Sequence, residues 1–369
     1  MIRFFKTYPV ACLTALLLVC VSCTNKEPVP SGPGVISVTI VNSEAEVMTK
    51  SPSLSDGSLI AVGADQKPDL AVALANSEGN LIAWWPQDFW GTMNGQYDSD
   101  LDVSTYVANT PVSESTVFFT GPTRGTYTVY AIANKAGLSA DEITAIRAAT
   151  TVSALDALTL SIVSGQPDFG ACMPLTAKGT LSVNSSSNGM VDLDLLRPVA
   201  RVSLAFRNLT GDNNLEIHAC QATIQKMNPL GGYLFSRSTD YLSGGDRNLV
   251  LANAGPLVFE DNKATVADIK VFPSVAPTQL VGSRYLCTIE FHVTKEGETY
   301  DAGDTDTYDT FTFPDLAVHD SRSQDILYVK RNQHLKIETR ITKRAAAHDV
   351  SFNFEVQSWG SSDNYVVFD

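Results

Sequence analysis

The sequence has few of the residues that carry out chemistry. An enzyme needs a general base, a nucleophile or a metal cluster, yet the chain has no H-E-x-x-H spacing, no G-x-S-x-G motif and no glycine-rich phosphate loop. Its 5 histidines are scattered, at His218, His292, His319, His334 and His348. We therefore expect a protein that is not an enzyme and that has no catalytic residues, no cofactor and no metal centre.

Positive charge is also scarce. The chain has 26 Lys and Arg against 40 Asp and Glu, for a formal net charge of -14. Binding to nucleic acid depends on clustered Lys and Arg that neutralise phosphates. This composition argues against a nucleic-acid partner.

Cysteines are few and widely spaced. Of the 6 in the chain, Cys12 and Cys20 lie in the apolar N-terminal segment and Cys23 directly follows it. The remaining cysteines are Cys172, Cys220 and Cys287, an odd number without C-x-x-C spacing. Neither a disulfide framework nor a zinc site fits this pattern, so we predict buried thiols.

Only one long apolar run is present, from Val10 to Val21, and it follows Arg3 and Lys6. It is short for a membrane span and has the size of a signal-peptide core. Small residues before Cys23 resemble the lipobox of exported lipoproteins, so we predict a signal peptide over residues 1–22 and acylation of Cys23. The alternative is an ordinary secretory signal cut near Ser22.

Loss of residues 1–22 removes two positive charges, which changes the net charge from -14 to -16. Acyl chains on Cys23 would attach the mature chain to a membrane without a spanning helix. Residues 23–34 then form a linker, because a segment rich in Pro, Gly and charge buries little apolar surface.

Alternation of apolar and polar residues predicts strands along most of the mature chain. In VISVTI, at 35–40, the side chains of Ile36, Val38 and Ile40 share one face. Further strands are predicted at 70–75, 81–85, 115–120, 126–133, 179–183, 190–196, 199–208, 215–227, 249–252, 263–271, 285–293, 334–341 and 350–359. One helix is predicted after a capping box formed by Ser139 and Glu142.

The 347 residues that remain after removal of residues 1–22 from 369 exceed what one hydrophobic core usually serves. Strands without any strand–helix–strand alternation predict an all-β chain of two sandwiches. We place the first domain at residues 35–195 and the second at residues 196–369.

The C-terminal segment is unusually apolar for a chain end. Val350, Phe352, Phe354 and Val356 alternate with polar residues ahead of Trp359, and a last apolar stretch, YVVF, lies at 365–368. A loose apolar strand would invite edge pairing. We therefore expect this segment to dock either in its own domain or in a partner by strand addition.

Two other features leave alternatives open. Trp84, Trp85 and Trp90, near Phe89 and Tyr97, are interpreted either as core packing or as a stack for a sugar. The carboxylates between Asp301 and Asp309 lack the order of a calcium loop, so we expect a solvated loop around 300–315 and leave metal binding there open.

Five segments together resemble the fimbrillins, the subunit family of type V pili. They are the leader and linker into VISVTIV, the strand YTVYAIAN at 127–134, LRPVARV at 196–202, KRNQHLKI at 330–337 and the ending VQSW at 356–359. The order of these segments matches the family over nearly the whole mature chain. Leu335 stands where the family commonly has tyrosine.

The resemblance implies a structural subunit with two transthyretin-like Greek-key sandwiches, exported as an outer-membrane lipoprotein and assembled into a cell-surface fimbrium for adhesion or biofilm formation. It also implies partners: other copies of the chain, accessory fimbrial subunits, outer-membrane lipid before processing, and a trypsin-like protease. In the family that protease removes the first strand, and the C-terminal strand of a neighbour takes its place. Here the displaced residues would be Ile36, Val38 and Ile40. The donor residues would be Val350, Phe352, Phe354, Val356 and Trp359.

The cut is expected at Lys50, where the family commonly has arginine. No arginine occurs between Arg3 and Arg124, and Lys50 is the only basic residue between Lys26 and Lys67. The alternatives are that Lys50 is a plain solvated lysine, that the chain is a lipid-retained anchor or accessory subunit, or that it is a surface glycan-binding lipoprotein.

Overall fold

The computed structural model describes residues 34–41, 60–61, 68–86, 102–110, 114–161, 167, 169–170, 172–184, 188–235, 247–276, 278–279, 282–319, 324–343 and 350–358. Most of them are in strands, which confirms the all-β prediction. The strands of the first half are β1 (Val35–Val41), β2 (Leu70–Ala75), β3 (Leu81–Trp85), β4 (Asp102–Thr110), β5 (Glu114–Thr120), β6 (Gly125–Ala133), β7 (Thr159–Ser161), β8 (Leu175–Val183) and β9 (Gly189–Asp194).

The strands of the second half are β10 (Ala200–Asn208), β11 (Ile217–Ile224), β12 (Gly231–Tyr233), β13 (Leu249–Asn253), β14 (Lys263–Val271), β15 (Ser274–Val275), β16 (Thr278–Gln279), β17 (Gly282–Ser283), β18 (Leu286–Thr294), β19 (Tyr308–Ala317), β20 (Tyr328–Val329), β21 (Gln333–Ile341) and β22 (Val350–Ser358).

Short helices interrupt the first half. Helix α1 (Ala140–Ala148) begins at the predicted capping box, in which the Glu142 amide donates to Ser139 Oγ at 3.2 Å and the Ser139 amide donates to Glu142 Oε2 at 2.8 Å. Helix α2 (Val152–Asp156) and a 3₁₀ turn at Lys135–Gly137 flank it. None of the helices in the described ranges is long and apolar enough to span a membrane.

Each half forms a sandwich of two four-stranded sheets. In the first, the sheet β4-β5-β1-β9 faces the sheet β3-β2-β6-β8 across a buried apolar core. In the second, β14-β10-β21-β22 faces β13-β11-β18-β19 across another core. Inward side chains of alternating strands fill both cores, as the sequence pattern predicts.

The two sandwiches repeat one topology. Strand β1 pairs antiparallel with β5 and parallel with β9, and β10 pairs in the same way with β14 and β21. The facing sheets also correspond, since the neighbours β3-β2-β6-β8 match β13-β11-β18-β19 in order. Each sandwich adds one edge strand of its own, β4 beside β5 in the first and β22 beside β21 in the second.

Side chains from the second half close the first core. Leu234, Phe235 and Phe272 belong to the first core, and Phe235 meets Tyr130 edge-on with ring centroids 4.8 Å apart. Strand β12 pairs with β7, which joins the two halves of the chain through backbone hydrogen bonds. The predicted domain boundary at 195/196 therefore lies within a region of tight contact between the sandwiches.

Two buried arginines lie at this contact. Arg197, 1% exposed, donates from Nη1 to Asn332 Oδ1 at 2.7 Å. Arg331, 6% exposed, donates from Nη2 to the Tyr233 carbonyl at 2.9 Å and from Nη1 to the Leu234 carbonyl at 3.3 Å. The segments LRPVARV and KRNQHLKI thus meet in space at the joint between the sandwiches.

Most strand predictions agree with the structure to within a few residues. Strand β8 begins four residues earlier than predicted, and the short strands β7, β12, β15, β16, β17 and β20 were not predicted. The region around 300–315, expected as a solvated loop, enters strand β19 at Tyr308. Strand β19 is an edge strand, which is why Pro314 is tolerated within it. Strand β4 was not predicted, and its pairing with β5 has two register shifts.

Replacement of Arg331 by alanine is expected to lower the free energy of unfolding by about 2–4 kcal/mol, because carbonyls of Tyr233 and Leu234 lose a charged donor in a buried setting. Urea titration of the purified chain measures the change. Arg124→Ala, at an exposed turn, is the matched control and should change stability by less than about 0.5 kcal/mol. Equal effects for the two variants would contradict the structural role of Arg331.

Candidate functional site

Strand β1 occupies the middle of its sheet. It pairs along seven residues with β5 on one side and along six residues with β9 on the other. Both of its backbone edges are therefore hydrogen-bonded, and its loss would leave a gap between two strands. We call this gap the β1 slot, with β5 and β9 as its walls.

The predicted apolar face of β1 is fully buried. Ile36 and Val38 are 0% exposed and Ile40 is 1% exposed, all within the first core. Burial of each such side chain contributes roughly 1.5–3 kcal/mol. Val117 and Phe119, both 0% exposed on β5, lie opposite Val38 and Ile36. Strand β1 is therefore a major part of the first core.

One wall of the slot depends on a glycine. Gly189 of β9 lies beside Ile36, and a Cβ there would lie 2.4 Å from Leu181 Cδ1 and 2.9 Å from Val183 Cγ2. Leu181 and Val183 belong to β8 on the facing sheet. A side chain at 189 would therefore require the side chains of Leu181 and Val183 to move, next to Ile36 in the slot.

Three predicted site residues lie outside the described part of the chain: Cys23, Lys50 and Trp359. Strand β1 ends at Val41, whose carbonyl accepts a hydrogen bond from the Leu195 amide at 2.8 Å. The assignments of Cys23 to lipidation and of Lys50 to processing stay predictions.

The predicted donor strand is docked in its own sandwich. Strand β22 pairs with β21 along nine residues and forms the edge of that sheet. Phe354 is 4% exposed, whereas Val350, Phe352 and Val356 are half-buried against the second core. The Phe352 ring meets Phe313 edge-on, with centroids 4.9 Å apart. Of the two predicted dockings, the structure has the one within the same chain.

Strands β1 and β22 differ in how they are held. Strand β1 is bonded on two sides, and the three core-facing side chains Ile36, Val38 and Ile40 are fully buried. Within the part of the chain that the structure describes, strand β22 is bonded on one side, and of its four inward side chains Phe354 alone is buried. An edge strand with a pairable outer side is the more easily detached of the two.

The tryptophan cluster does not form a sugar platform at Trp84. Trp84 is 1% exposed and lies in the first core, while Trp85 is half-buried against it. Trp90, Phe89 and Tyr97 lie outside the described residues. The core interpretation is confirmed for Trp84, because a fully buried indole cannot stack on a ligand.

Two histidines form a ring cluster on the outer face of the second sandwich. His218 of β11 and His292 of β18 lie directly opposite each other across the strand pair. The Tyr300 ring stacks on the His218 ring with centroids 3.9 Å apart, and the Tyr300 hydroxyl lies 3.0 Å from His292 Nδ1. The Tyr308 ring stacks on the His292 ring with centroids 4.1 Å apart. These contacts fold the 295–307 loop over the sheet.

The acidic loop is held by its own backbone. The Gly303 amide donates to Asp301 Oδ1 at 2.8 Å, and the Asp306 amide donates to Asp304 Oδ1 at 3.0 Å. No group of three metal-ligating side chains comes together among the residues that the structure describes.

The thiols Cys172, Cys220 and Cys287 are buried and not paired in disulfides, as predicted. Burial raises the pKa of Cys220 and of Cys287 to about 12. These two thiols therefore remain protonated at neutral pH and unreactive as nucleophiles.

Sequence reasoning missed the walls of the β1 slot and the buried arginines of the joint. Strand β5 and strand β9 were predicted as strands, but their position on either side of β1 depends on pairing between residues far apart in the chain. The motif segments that contain Arg197 and Arg331 were the available signal for the joint.

Among the comparisons with known proteins, only the comparison with solved structures found similar proteins. No protein-family model matches the chain, and no curated protein matches it significantly. The structure is similar to a fimbrilin from Porphyromonas gingivalis W83, at 12% identity and a TM-score of 0.47, with 89% of this chain and 99% of that chain covered.

Two further solved structures are similar. One is the tip fimbrial protein Mfa3 from Porphyromonas gingivalis with a C-terminal truncation, at 10% identity, a TM-score of 0.45, and coverage of 88% and 99% of the two chains. The other is a fimbrial assembly protein from Parabacteroides distasonis, at 11% identity, a TM-score of 0.41, and coverage of 88% and 98%.

The ring cluster predicts a pH dependence. Partial burial and the facing His218 lower the pKa of His292 below its usual value, while Glu290 opposes this shift. The neutral imidazole is therefore favoured in the folded chain, so this stabilisation is complete above the unfolded pKa of ~6.5 and is lost as the pH falls below it. We expect the free energy of unfolding to fall less between pH 7.5 and 5.5 in His292→Gln than in the natural chain. Identical pH profiles in urea titrations would contradict this.

Proposed function

We propose that this chain is a structural subunit of a cell-surface fimbrium that polymerises by strand exchange at the β1 slot. The observation that carries the proposal is the central position of β1. It is bonded on both sides and it buries Ile36, Val38 and Ile40, yet it is the first strand of the described residues. A strand in that position can be removed by one cut, and its loss creates a site that only another strand fills.

Proteolysis acts by breaking the covalent link between β1 and the rest of the chain. Strand β1 is joined to β2 by residues 42–69, and a tethered strand binds its slot at ~mM effective concentration. Cleavage after Lys50, between β1 and β2, removes that advantage. A strand from another copy then competes on equal terms for β5 and β9.

Strand β22 has the features of the donor. Its inward residues Val350, Phe352, Phe354 and Val356 alternate with polar residues, as Ile36, Val38 and Ile40 do in β1. In its own sandwich it has one bonded edge, whereas the slot offers two. Transfer gains a second ladder, whose hydrogen bonds contribute about 0.5–1.5 kcal/mol each.

Transfer also has costs. It exposes the edge of β21 and removes Phe354 from the second core. It places phenyl rings where the slot holds branched aliphatic side chains, and such overpacking typically costs about 1–3 kcal/mol. The hydrogen bonds of the second ladder offset these free-energy costs, so that β1 and β22 have similar free energies of binding in the slot. Cleavage of the tether therefore decides which of the two strands occupies it.

Export fits this role. A lipidated Cys23 would hold the precursor at the outer membrane, where a trypsin-like protease that accepts lysine releases the trimmed subunit for assembly with other copies and with accessory fimbrial subunits. Attachment of the fibre to surfaces, and hence adhesion or biofilm formation, follows from its position on the cell.

One observation favours a second role. No arginine lies between Arg3 and Arg124, so a protease restricted to arginine would leave β1 in place. The chain would then stay lipid-anchored at the base of a fibre as an anchor or accessory subunit and would donate β22 without accepting a strand.

The proposal is tested with the purified chain starting at Thr24, treated with a lysine-specific protease at low ratio. We expect cleavage after Lys50, release of the first strand, and formation of polymers visible by size-exclusion chromatography and electron microscopy. Because Lys67 also lies between β1 and β2, both chains carry Lys67→Gln, and the chain that also carries Lys50→Gln should keep β1 joined to β2 and stay monomeric. Fibre-extracted subunits that begin at Cys23 would contradict processing and would favour the anchor role.

A peptide assay tests the donor assignment. Trimmed chain that lacks residues 350–369 should bind a synthetic peptide of residues 350–358 in the slot and gain thermal stability, and an excess of the 35–41 peptide should displace it. A 350–358 peptide bound at the vacated edge of β21 would not be displaced. A peptide of residues 35–41 is the positive control, and a 350–358 peptide with both phenylalanines changed to serine is the matched negative control. Binding of the 35–41 peptide alone would leave the slot valid and would show that β22 is not the donor.

A further inference from the structure

Thr339 of β21 is a buried polar residue with no apparent structural use. It is 0% exposed, and its Oγ1 has no hydrogen-bond partner within the part of the chain that the structure describes. It lies opposite Phe352 of β22 and beside Phe206 of β10. Thr339 therefore has a phenylalanine at the same register position on each of its two neighbouring strands.

The rest of its surroundings is equally apolar. Ile337 and Ile341, two residues away on the same face of β21, are each 1% exposed in the second core. A hydroxyl in such a place costs free energy, because it gives up hydrogen bonds to water and gains none in return. Valine has nearly the same shape and would have no such cost.

We propose that Thr339 is a release element that keeps β22 weakly bound to β21. Strand β22 lies directly beside Thr339 on β21, with Phe352 at the opposite register position, so the departure of β22 would open the Thr339 hydroxyl to water and relieve its cost. The hydroxyl thus destabilises the docked form of β22 more than the detached form. Its effect on assembly rests on the proposed function, whereas its effect on β22 docking does not.

The test is amide hydrogen exchange of residues 350–358 in the full mature chain, which needs no assembly. When a buried hydroxyl without a partner is removed, or is given one, the equilibrium constant for local opening of the strand changes by roughly 5- to 150-fold. We expect Thr339→Val to slow exchange in β22 by about tenfold relative to the natural chain, and Thr339→Ser, which keeps the hydroxyl, not to slow it.

Thr265→Val is the matched control, because Thr265 is exposed on β14 in the same sheet, two strands away from β21. The amide exchange rates of residues 350–358 in Thr265→Val should stay within about twofold of those in the natural chain, as expected for a surface change in a strand. The proposal is overturned if Thr339→Val and Thr265→Val behave alike. It is also overturned if β22 amides in the natural chain exchange only together with those of β10, since β22 would then not open by itself.

Polymer growth of the protease-trimmed chain separates the two proposals. If the trimmed natural chain polymerises, the trimmed Thr339→Val chain should polymerise more slowly. The reduction in its growth rate should be similar to the reduction in the amide hydrogen exchange rate of β22. Equal growth rates despite slowed exchange would show that Thr339 does not control assembly. If no form polymerises while Thr339→Val still slows exchange, strand exchange fails as the function and the role of Thr339 in β22 docking stands.

Discussion

The structure depends on a strand that is bonded on both sides. Backbone amides and carbonyls of β1 pair with β5 and with β9, and its three core-facing side chains, Ile36, Val38 and Ile40, are fully buried. Without a strand in that place, two rows of polar backbone groups and a row of apolar pockets would face water together. The first sandwich therefore always needs an occupant for the slot, whether from its own chain or from another.

The repeated topology shows that the central strands of the two sandwiches are held differently. Strand β10 is the counterpart of β1, but it begins three residues after Arg197, which is buried in the joint and donates a hydrogen bond to Asn332. The Asn332 amide also donates to the Val199 carbonyl at 2.8 Å. Strand β10 is thus held on both sides and at its start, while β1 follows a linker that the composition predicts to be unstructured.

Sequence reasoning succeeded where local pattern decides structure. The alternation of VISVTI and of the segment from Val350 to Val356 places both strands, and the pair Ser139 and Glu142 places a helix start. It failed at β4, whose pairing with β5 is irregular, and at β19, where charged residues suggested a loop. The partners of β1 and the burial of Arg331 could not be predicted, because both depend on contacts between distant segments.

The sequence by itself determined the all-β class, the faces of β1 and β22 and the apolar character of both chain ends, since strand alternation has a period of two residues and is read locally. Only the tertiary structure decided that β1 is central, that β22 is an edge strand, and that Thr339 lies unpaired between Phe206 and Phe352. Those facts depend on which strands pair. Pairing is set by the packing of two whole sheets around a core, which no single segment encodes.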